Sequence, residues 1–259
     1  LSRRQRQMCI RDRSNSSVIT KEDGWIKRGY RNDYGRPRFA IMNPELTMTL
    51  PDYQTACGCT DILMHTMERY FNHGENMELT DGISEHLLRT VMKNAKILMD
   101  EPQCYKARAE VMWAGSLSHN GSMACGNDGG DWACHQLEHE LGGMFDVAHG
   151  AGLAAVWGSW ARYVCDALPD RFEQFAVNVM GVENGDDKNA VIQKGIEAME
   201  NFFRQIEMPT DLGGLNIEVS EDQMKELALK CSHFGKRTIG CVKKLNQEDI
   251  YRIYQKAAD

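Results

Sequence analysis

The chain has 259 residues, of which 42% are hydrophobic, so it is long enough to bury a large apolar core. Its formal charge of -7 gives no reason to expect a nucleic-acid partner, and its most apolar run, residues 150–161, is too short and glycine-rich to cross a bilayer. Nine cysteines, an odd number scattered along the chain, indicate reduced thiols in a cytoplasmic protein rather than a disulfide framework.

Residues 1–13 form a basic head on an acidic chain. They contain five of the 30 basic and one of the 37 acidic side chains, which leaves 25 against 36 and a formal charge of -11 for the remainder. A nucleic-acid arm, a targeting peptide and a stretch of no biological origin are three hypotheses for this head. The polar run SNSS that follows is not the apolar core of a secretory signal, so the head does not have the pattern of a signal peptide.

Residues 14–51 carry patterns typical of sheet and turn. The stretches SSVIT, KEDGWIKRG and PRFAIMNPEL are rich in apolar and β-branched residues, and Asn43-Pro44 closes the last of them. Two or three strands do not form a stable sheet by themselves. We therefore predict that this segment is the last part of a larger α/β domain.

From residue 52 to 259 the sequence predicts helices. Between residues 79 and 100 apolar side chains recur every three or four positions, and Thr80 or Asp81 is the expected cap. Ser220 and Gln223 form a predicted capping box. Similar patterns predict helices over residues 102–119, 131–142, 151–165, 169–181, 188–206, 220–233 and 246–257. The expected fold is therefore mainly α, with an all-helical domain that follows a short strand-rich segment.

Asp61 and His65 lie four positions apart in CTDILMHTMERYF, a segment with a helical pattern. This spacing places both side chains on one face of a helix, where they can approach the same metal ion. For this pair alone, a surface ion pair or a helix cap is the simpler interpretation.

A second histidine cluster lies in DWACHQLEHELGGMFDVAHGAGLAAVW. His135 and His139 share a helical face, whereas on one straight helix His149 would lie about 21 Å from His135. We expect the helix to end at Gly142-Gly143, where glycine lets the chain fold back. Three of the eight histidines within fifteen residues exceed what core packing requires. Together with the aspartate-histidine pair they favour a bound metal ion.

The residues around these histidines limit which class of metal site the chain can contain. His139-Glu140 is followed by Leu141-Gly142-Gly143, so the H-E-x-x-H helix of zinc proteases is absent from this segment. One carboxylate with several imidazoles suits a single divalent iron or zinc ion that keeps a position open for a substrate oxygen. These ligand types do not distinguish Fe2+ from Zn2+.

Three longer segments identify a protein family more specifically than the spacing of the candidate metal ligands does. They are FAIMNPELTMTLPDYQTACGCTDILMHTMERYF, HQLEHELGGMFDVAHGAGLA and KKLNQEDIYRIY. Through them, the chain from Ser14 onward resembles the iron-containing (group III) alcohol dehydrogenase family, butanol dehydrogenase type. The resemblance implies the all-helical metal-binding domain of the dehydroquinate synthase-like fold. It also implies an N-terminal dinucleotide-binding domain, with the metal held in the cleft between the two.

The resemblance also assigns roles to individual residues. Spacing alone does not rank His135 above His139 as a metal ligand, but the resemblance does. The ligands that it implies are Asp61, His65, His135 and His149.

For His139 the resemblance implies a place beside the nicotinamide and the substrate, where an imidazole can relay a proton or orient the ring. Hydrogen-bonded support of the metal site is the alternative. The resemblance further implies cofactor contacts for Asn15, Ser17 and Lys27, which a solvated turn would explain equally well.

The implied activity of the intact enzyme is the interconversion of primary alcohols and aldehydes, such as butanol and butanal, by hydride transfer with NAD(H) or NADP(H). The implied metal, Fe2+ or Zn2+, acts as a Lewis acid on the small-molecule substrate. By family analogy the intact enzyme is expected to be a cytoplasmic homodimer that requires neither nucleic acid nor a membrane. The alternative is a free-standing helical domain that binds a divalent metal without catalysis.

The resemblance places a phosphate-binding segment upstream of SNSSVIT, and this sequence contains none there. Arg3 to Asp12 instead match the translation of a transposase adapter from DNA library preparation. We therefore interpret residues 1–13 as an artefact, residues 14–51 as the remnant of the dinucleotide-binding domain, and residues 52–259 as the metal domain. Such a chain is expected to bind a divalent metal but to have little dehydrogenase activity by itself.

Overall fold

A computed structural model describes residues 16–35, 38–127 and 129–258. The chain begins with an antiparallel hairpin of β1 (Ser16–Lys21) and β2 (Ile26–Arg31), in which Val18 lies opposite Gly29. Gly24, at φ 81°, occupies the left-handed region that its turn requires. The sheet and turn patterns predicted for SSVIT and KEDGWIKRG are therefore confirmed.

The third strand pattern, PRFAIMNPEL, forms no strand over its described residues, 38–46. Residues 38–43 have no regular structure and lead into a short 3₁₀ helix, Pro44–Thr47. The Asn43 side chain caps this turn by accepting a hydrogen bond from the backbone N–H of Glu45 at 3.0 Å. Pro44 has no N–H to donate to a sheet, and the side chains of Phe39 and Ile41 are exposed.

The rest of the described chain is mainly helical, as predicted. Most of the helices begin or end within a few residues of the predicted limits. They are α1 (Asp52–Tyr70), α2 (Glu78–Asp100), α3 (Tyr105–His119), α4 (Ala133–Phe145), α5 (His149–Val164), α6 (Pro169–Asn178), α7 (Lys188–Gln205), α8 (Glu221–Cys231) and α9 (Gln247–Ala258).

Helix α5 runs through the centre of the helical body. Every residue from 150 to 161 is buried, and the helix packs against α1, α4, α7 and α9. Its glycines and alanines allow close approach, while Trp157 and Trp160 supply large apolar surfaces to the core. The position of α5 brings its first residue, His149, next to α1.

The expectation that a helix ends at Gly142-Gly143 is wrong. Helix α4 continues through both glycines to Phe145, and the chain turns at Asp146, which adopts a left-handed conformation with φ 53°. The glycines have a packing role, because a Cβ on Gly143 would lie 2.6 Å from the carbonyl oxygen of Trp25. The missing side chains let the β-hairpin approach α4, which offsets the low helix propensity of glycine.

Helix α2 begins at Glu78, so the predicted caps Thr80 and Asp81 lie inside it. Asp81 is buried and forms an ion pair with Arg171 of α6. The capping box of Ser220 with Gln223 at the start of α8 is confirmed. Among the described residues, no helix combines the length and apolar character that a membrane span requires.

Candidate metal centre

Helix α1 carries the first half of the site. Asp61 and His65 point from one buried face of the helix, and Nε2 of His65 lies 3.4 Å from Oδ1 of Asp61. Their spacing of four residues produces this contact, because such side chains lie one above the other on a helix.

Helices α4 and α5 bring two further imidazoles to the same carboxylate. Nε2 of His135 lies 3.6 Å and Nε2 of His149 lies 3.5 Å from Oδ1 of Asp61. The turn between Phe145 and His149 makes this possible, because it reverses the chain so that both histidines face α1. The structure therefore brings together all four residues that the resemblance implied as ligands.

A fourth imidazole, His119, was missed by the sequence reasoning. It is the last residue of α3, and its Nε2 lies 3.7 Å from Oδ2 of Asp61. Its ring centroid is 3.9 Å from that of His65. A single histidine in the pattern SLSHNG has no partner at metal-ligand spacing, so only the folding of α3 onto α1 reveals it.

Buried carboxylates support the histidines from behind. Oε1 of Glu68 accepts a hydrogen bond from the backbone N–H of His135 at 3.0 Å and lies 3.4 Å from Nδ1 of the same residue. Glu138 accepts from Nδ1 of His149 and forms a buried ion pair with Lys27 at 3.2 Å. Such partners fix the ring orientation and direct Nε2 into the site.

The arrangement fits a divalent ion. Donor atoms of Asp61, His65 and His135 lie within 4.8 Å of one another. Two donors that each bind an ion at about 2.1 Å lie about 3.0–4.2 Å apart, depending on their angle. The separations around Asp61 fall in this range. In addition, Nε2 of His135 is buried and has no hydrogen-bond partner in the described structure. A bound ion would give this nitrogen the partner that buried polar atoms normally have.

The electrostatics agree with this fit. Burial raises the pKa of Asp61, but the surrounding imidazoles outweigh it and hold that pKa well below the usual value. Burial lowers the pKa of His65 well below its usual value, so this ring is neutral. Burial also opposes charge on His149, yet Glu138 and Asp61 raise its pKa to about 9. Without a metal, the proton on His149 offsets the negative charges of Glu138 and Asp61. A bound cation would displace that proton.

A cavity of about 850 Å³ opens directly onto the histidines. His139 lines it, with its ring centroid 5.9 Å from that of His149, and burial lowers its pKa well below the usual value. Three cationic side chains, Arg31, Arg237 and Lys244, also line the cavity. The cavity thus combines a cation-binding cluster, a neutral imidazole and positive charge.

The predicted cofactor contacts lie in different places. Ser17 of β1 lines the cavity. Lys27 is only 3% exposed and its ammonium group faces Glu138, so contact with a cofactor stays a prediction. Asn15 lies outside the described residues.

Comparisons with known proteins agree with the geometry. Residues 55–258 match the model of the Fe-containing alcohol dehydrogenase family, C-terminal. NADH-dependent butanol dehydrogenase A of Clostridium acetobutylicum is 34% identical over 242 residues, which cover 93% of this chain and 61% of that protein. NADPH-dependent aldehyde reductase YqhD of Escherichia coli is 30% identical over 241 residues, with coverage of 93% and 61%.

A solved structure shows the same fold. The crystal structure of NADH-dependent butanol dehydrogenase A from Thermotoga maritima matches with a TM-score of 0.90 at 33% identity, covering 96% of this chain and 63% of that one. The chain thus spans less than two thirds of the length of these relatives. Because the family model covers most of its residues, the chain belongs to the Fe-containing alcohol dehydrogenase family, as the sequence resemblance predicted.

Proposed function

We propose that this chain supplies the metal centre and the substrate-facing helical wall of an enzyme that interconverts primary alcohols and aldehydes with NAD(H) or NADP(H). The observation that carries the proposal is the convergence of three imidazoles on the buried carboxylate of Asp61, at the edge of a cavity lined by His139. The similar proteins are named as butanol dehydrogenases and an aldehyde reductase, which supports this substrate class.

In this proposal the ion, Fe2+ or Zn2+, is held by Asp61, His65, His135 and His149. When bound, it supplies Lewis-acid polarisation of a carbonyl or hydroxyl group. Glu138 keeps the proton on Nδ1 of His149, so that Nε2 presents its lone pair to the site. The donor set suits both metals.

His139 is proposed to relay a proton or to orient the nicotinamide. Its neutral imidazole borders the cavity without belonging to the group around Asp61. Arg31, Arg237 and Lys244 provide positive charge suited to the phosphates of a dinucleotide. Both NADH-dependent and NADPH-dependent proteins are similar to this chain, so the proposal covers both cofactors.

The alternative is a helical domain that binds a metal without catalysis. One observation favours it: all four proposed ligands lie in α1, α4 and α5, so the site is complete within the helical body. We propose that the chain by itself binds metal but reduces aldehydes poorly, and that a homodimer belongs to the full-length enzyme.

The first experiment measures metal content by mass spectrometry in the 259-residue chain, beside Asp61→Asn and the control His86→Ala. His86 is exposed on α2, so its loss removes a histidine without touching the site. We expect about one Fe2+ or Zn2+ per chain, lost in Asp61→Asn and kept in the control. A folded wild-type chain that binds neither metal after reconstitution would contradict the proposal.

The second experiment separates the two functions. Butanal reduction with NADH or NADPH is measured for the chain alone and for a chimera in which the unmatched N-terminal part of the clostridial relative precedes residue 16. We expect weak activity alone and clear activity in the metal-loaded chimera. A folded, metal-loaded chimera without activity would favour the purely metal-binding alternative.

A further inference from the structure

His119 lies beside the carboxylate of Asp61, on the side that Oδ2 faces. Its side chain is 5% exposed, and its Nε2 faces Oδ2 of Asp61 at 3.7 Å. The ring lies against that of His65, with 39° between the two planes. Four Nε2 atoms thus surround one carboxylate, three near Oδ1 and that of His119 near Oδ2.

The hydrogen bonds of His119 identify which ring nitrogen carries the proton. Nδ1 lies 2.9 Å from the carbonyl oxygen of Gly115 and 2.7 Å from Oγ of Ser118. A carbonyl oxygen can only accept, so Nδ1 is the donor, and Nε2 is the ring nitrogen that can offer a lone pair to a metal ion. Metal-ligating histidines commonly donate their other N–H to a backbone carbonyl in this way.

That lone pair has no hydrogen-bond partner in the described structure. Nε2 of His119 is buried, and its distance of 3.7 Å from Oδ2 of Asp61 is too long for a hydrogen bond. A buried imidazole nitrogen that makes no hydrogen bond pays a desolvation cost without a compensating contact. A cation bound at Nε2 would supply that contact.

We propose that His119 is an additional nitrogen donor to the divalent ion, so that the donor set comprises Asp61 and four imidazoles. This inference rests on the proposed metal site. Five protein donors exceed the four that zinc usually takes, and they leave one position open on a six-coordinate ion such as Fe2+. His119 therefore strengthens metal retention and limits the substrate to one open position.

The test uses Co2+, whose visible absorption bands depend on coordination number. The 259-residue chain is compared with His119→Leu, which removes the donor but keeps an apolar side chain of moderate size, and with the control His86→Leu. We expect His119→Leu to raise the Co2+ Kd at least tenfold, measured by competition with a chelator, and to intensify the bands because the coordination number falls. The control should change neither the Kd nor the bands.

The outcomes separate this inference from the proposed function. If Asp61→Asn loses Co2+ while His119→Leu keeps the wild-type Kd and spectrum, His119 is not a ligand although the metal site stands. A wild-type chain that binds no Co2+ overturns the proposed metal site and this inference together. If His119→Leu does not fold, X-ray absorption of the Co2+-loaded wild-type chain measures the number of imidazoles bound to the ion. We expect four, and three would refute the proposal.

Discussion

Gly150 touches the backbone of Cys57. A Cβ added to Gly150 would lie 2.2 Å from the carbonyl oxygen of Cys57, closer than real Cβ atoms come to other heavy atoms. Gly150 follows His149 on α5, and Cys57 lies one turn before Asp61 on α1. This backbone contact therefore sets the separation between the two ligands that α5 and α1 contribute.

Gly150→Ala is expected to destabilise the chain and weaken metal binding together. The added methyl group would force α5 away from α1, at a cost of about 1–3 kcal/mol, and would displace His149 from Asp61. Denaturant unfolding and competition with a chelator measure the two effects. The matched control is Gly58→Ala in α1, where an added Cβ meets no atom within 4 Å and should stabilise the helix by up to about 1 kcal/mol. Unchanged stability in Gly150→Ala would contradict this account.

Glu138→Gln is expected to affect both stability and metal affinity. The glutamine cannot balance the ammonium group of Lys27, which is 3% exposed, so the metal-free chain should lose about 3–5 kcal/mol. Loss of the charge behind His149 should also weaken metal binding about 10–100-fold.

The double variant Lys27→Met with Glu138→Gln separates these effects. It removes both buried charges, so most of the stability should return, whereas the metal affinity should stay low. Unfolding curves and metal titrations of the two single variants and the double variant test this. Recovery of the metal affinity in the double variant would contradict this prediction. It would show that Glu138→Gln weakens metal binding only because Lys27 loses its ion-pair partner.

The helices and half of the metal site could be predicted from local patterns. Apolar periodicity marked the helices, and the spacing of Asp61 and His65 put both on one face because the helix itself fixes that geometry. The convergence of His135 with His149 needed a chain reversal, which the sequence analysis placed at Gly142-Gly143 and which lies at Asp146 instead. Choosing His135 over His139 needed the family resemblance, because spacing treats both alike.

Other features depend on tertiary contacts that local patterns do not contain. His119 enters the site only because α3 packs on α1, and no residue near it in sequence reports this. The Gly142-Gly143 pair suggested a helix end, but Gly143 packs closely against the backbone of Trp25 and Gly142 against the side chains of Lys27 and Glu138. The apolar run around Phe39 and Ile41 had the composition of a strand, but it pairs with no strand among the described residues.

Asp81→Asn tests whether Asp81 stabilises the fold as an ion pair or as a cap. Its carboxylate is buried against Arg171, whose guanidinium lies 4.8 Å from the ring centroid of Tyr70. Breaking a buried pair should cost about 3–5 kcal/mol, because it leaves the arginine uncompensated. Ser220→Ala, which removes a true cap, should cost about 1 kcal/mol. Denaturant unfolding distinguishes the two, and a loss of only about 1 kcal/mol in Asp81→Asn would argue against the ion pair.

His139→Gln should separate catalysis from metal binding in the active chimera. His139 borders the cavity but does not approach Asp61, and its ring centroid lies 6.4 Å from that of His135. We expect metal content to stay near the wild-type value while the kcat for butanal reduction falls about 10²–10⁴-fold, the usual contribution of a side chain positioned for proton transfer. The comparison variant His149→Gln should lose both, because it removes a proposed ligand. If His139→Gln lost its metal while kcat per bound ion stayed constant, His139 would support the metal site rather than the transfer of a proton.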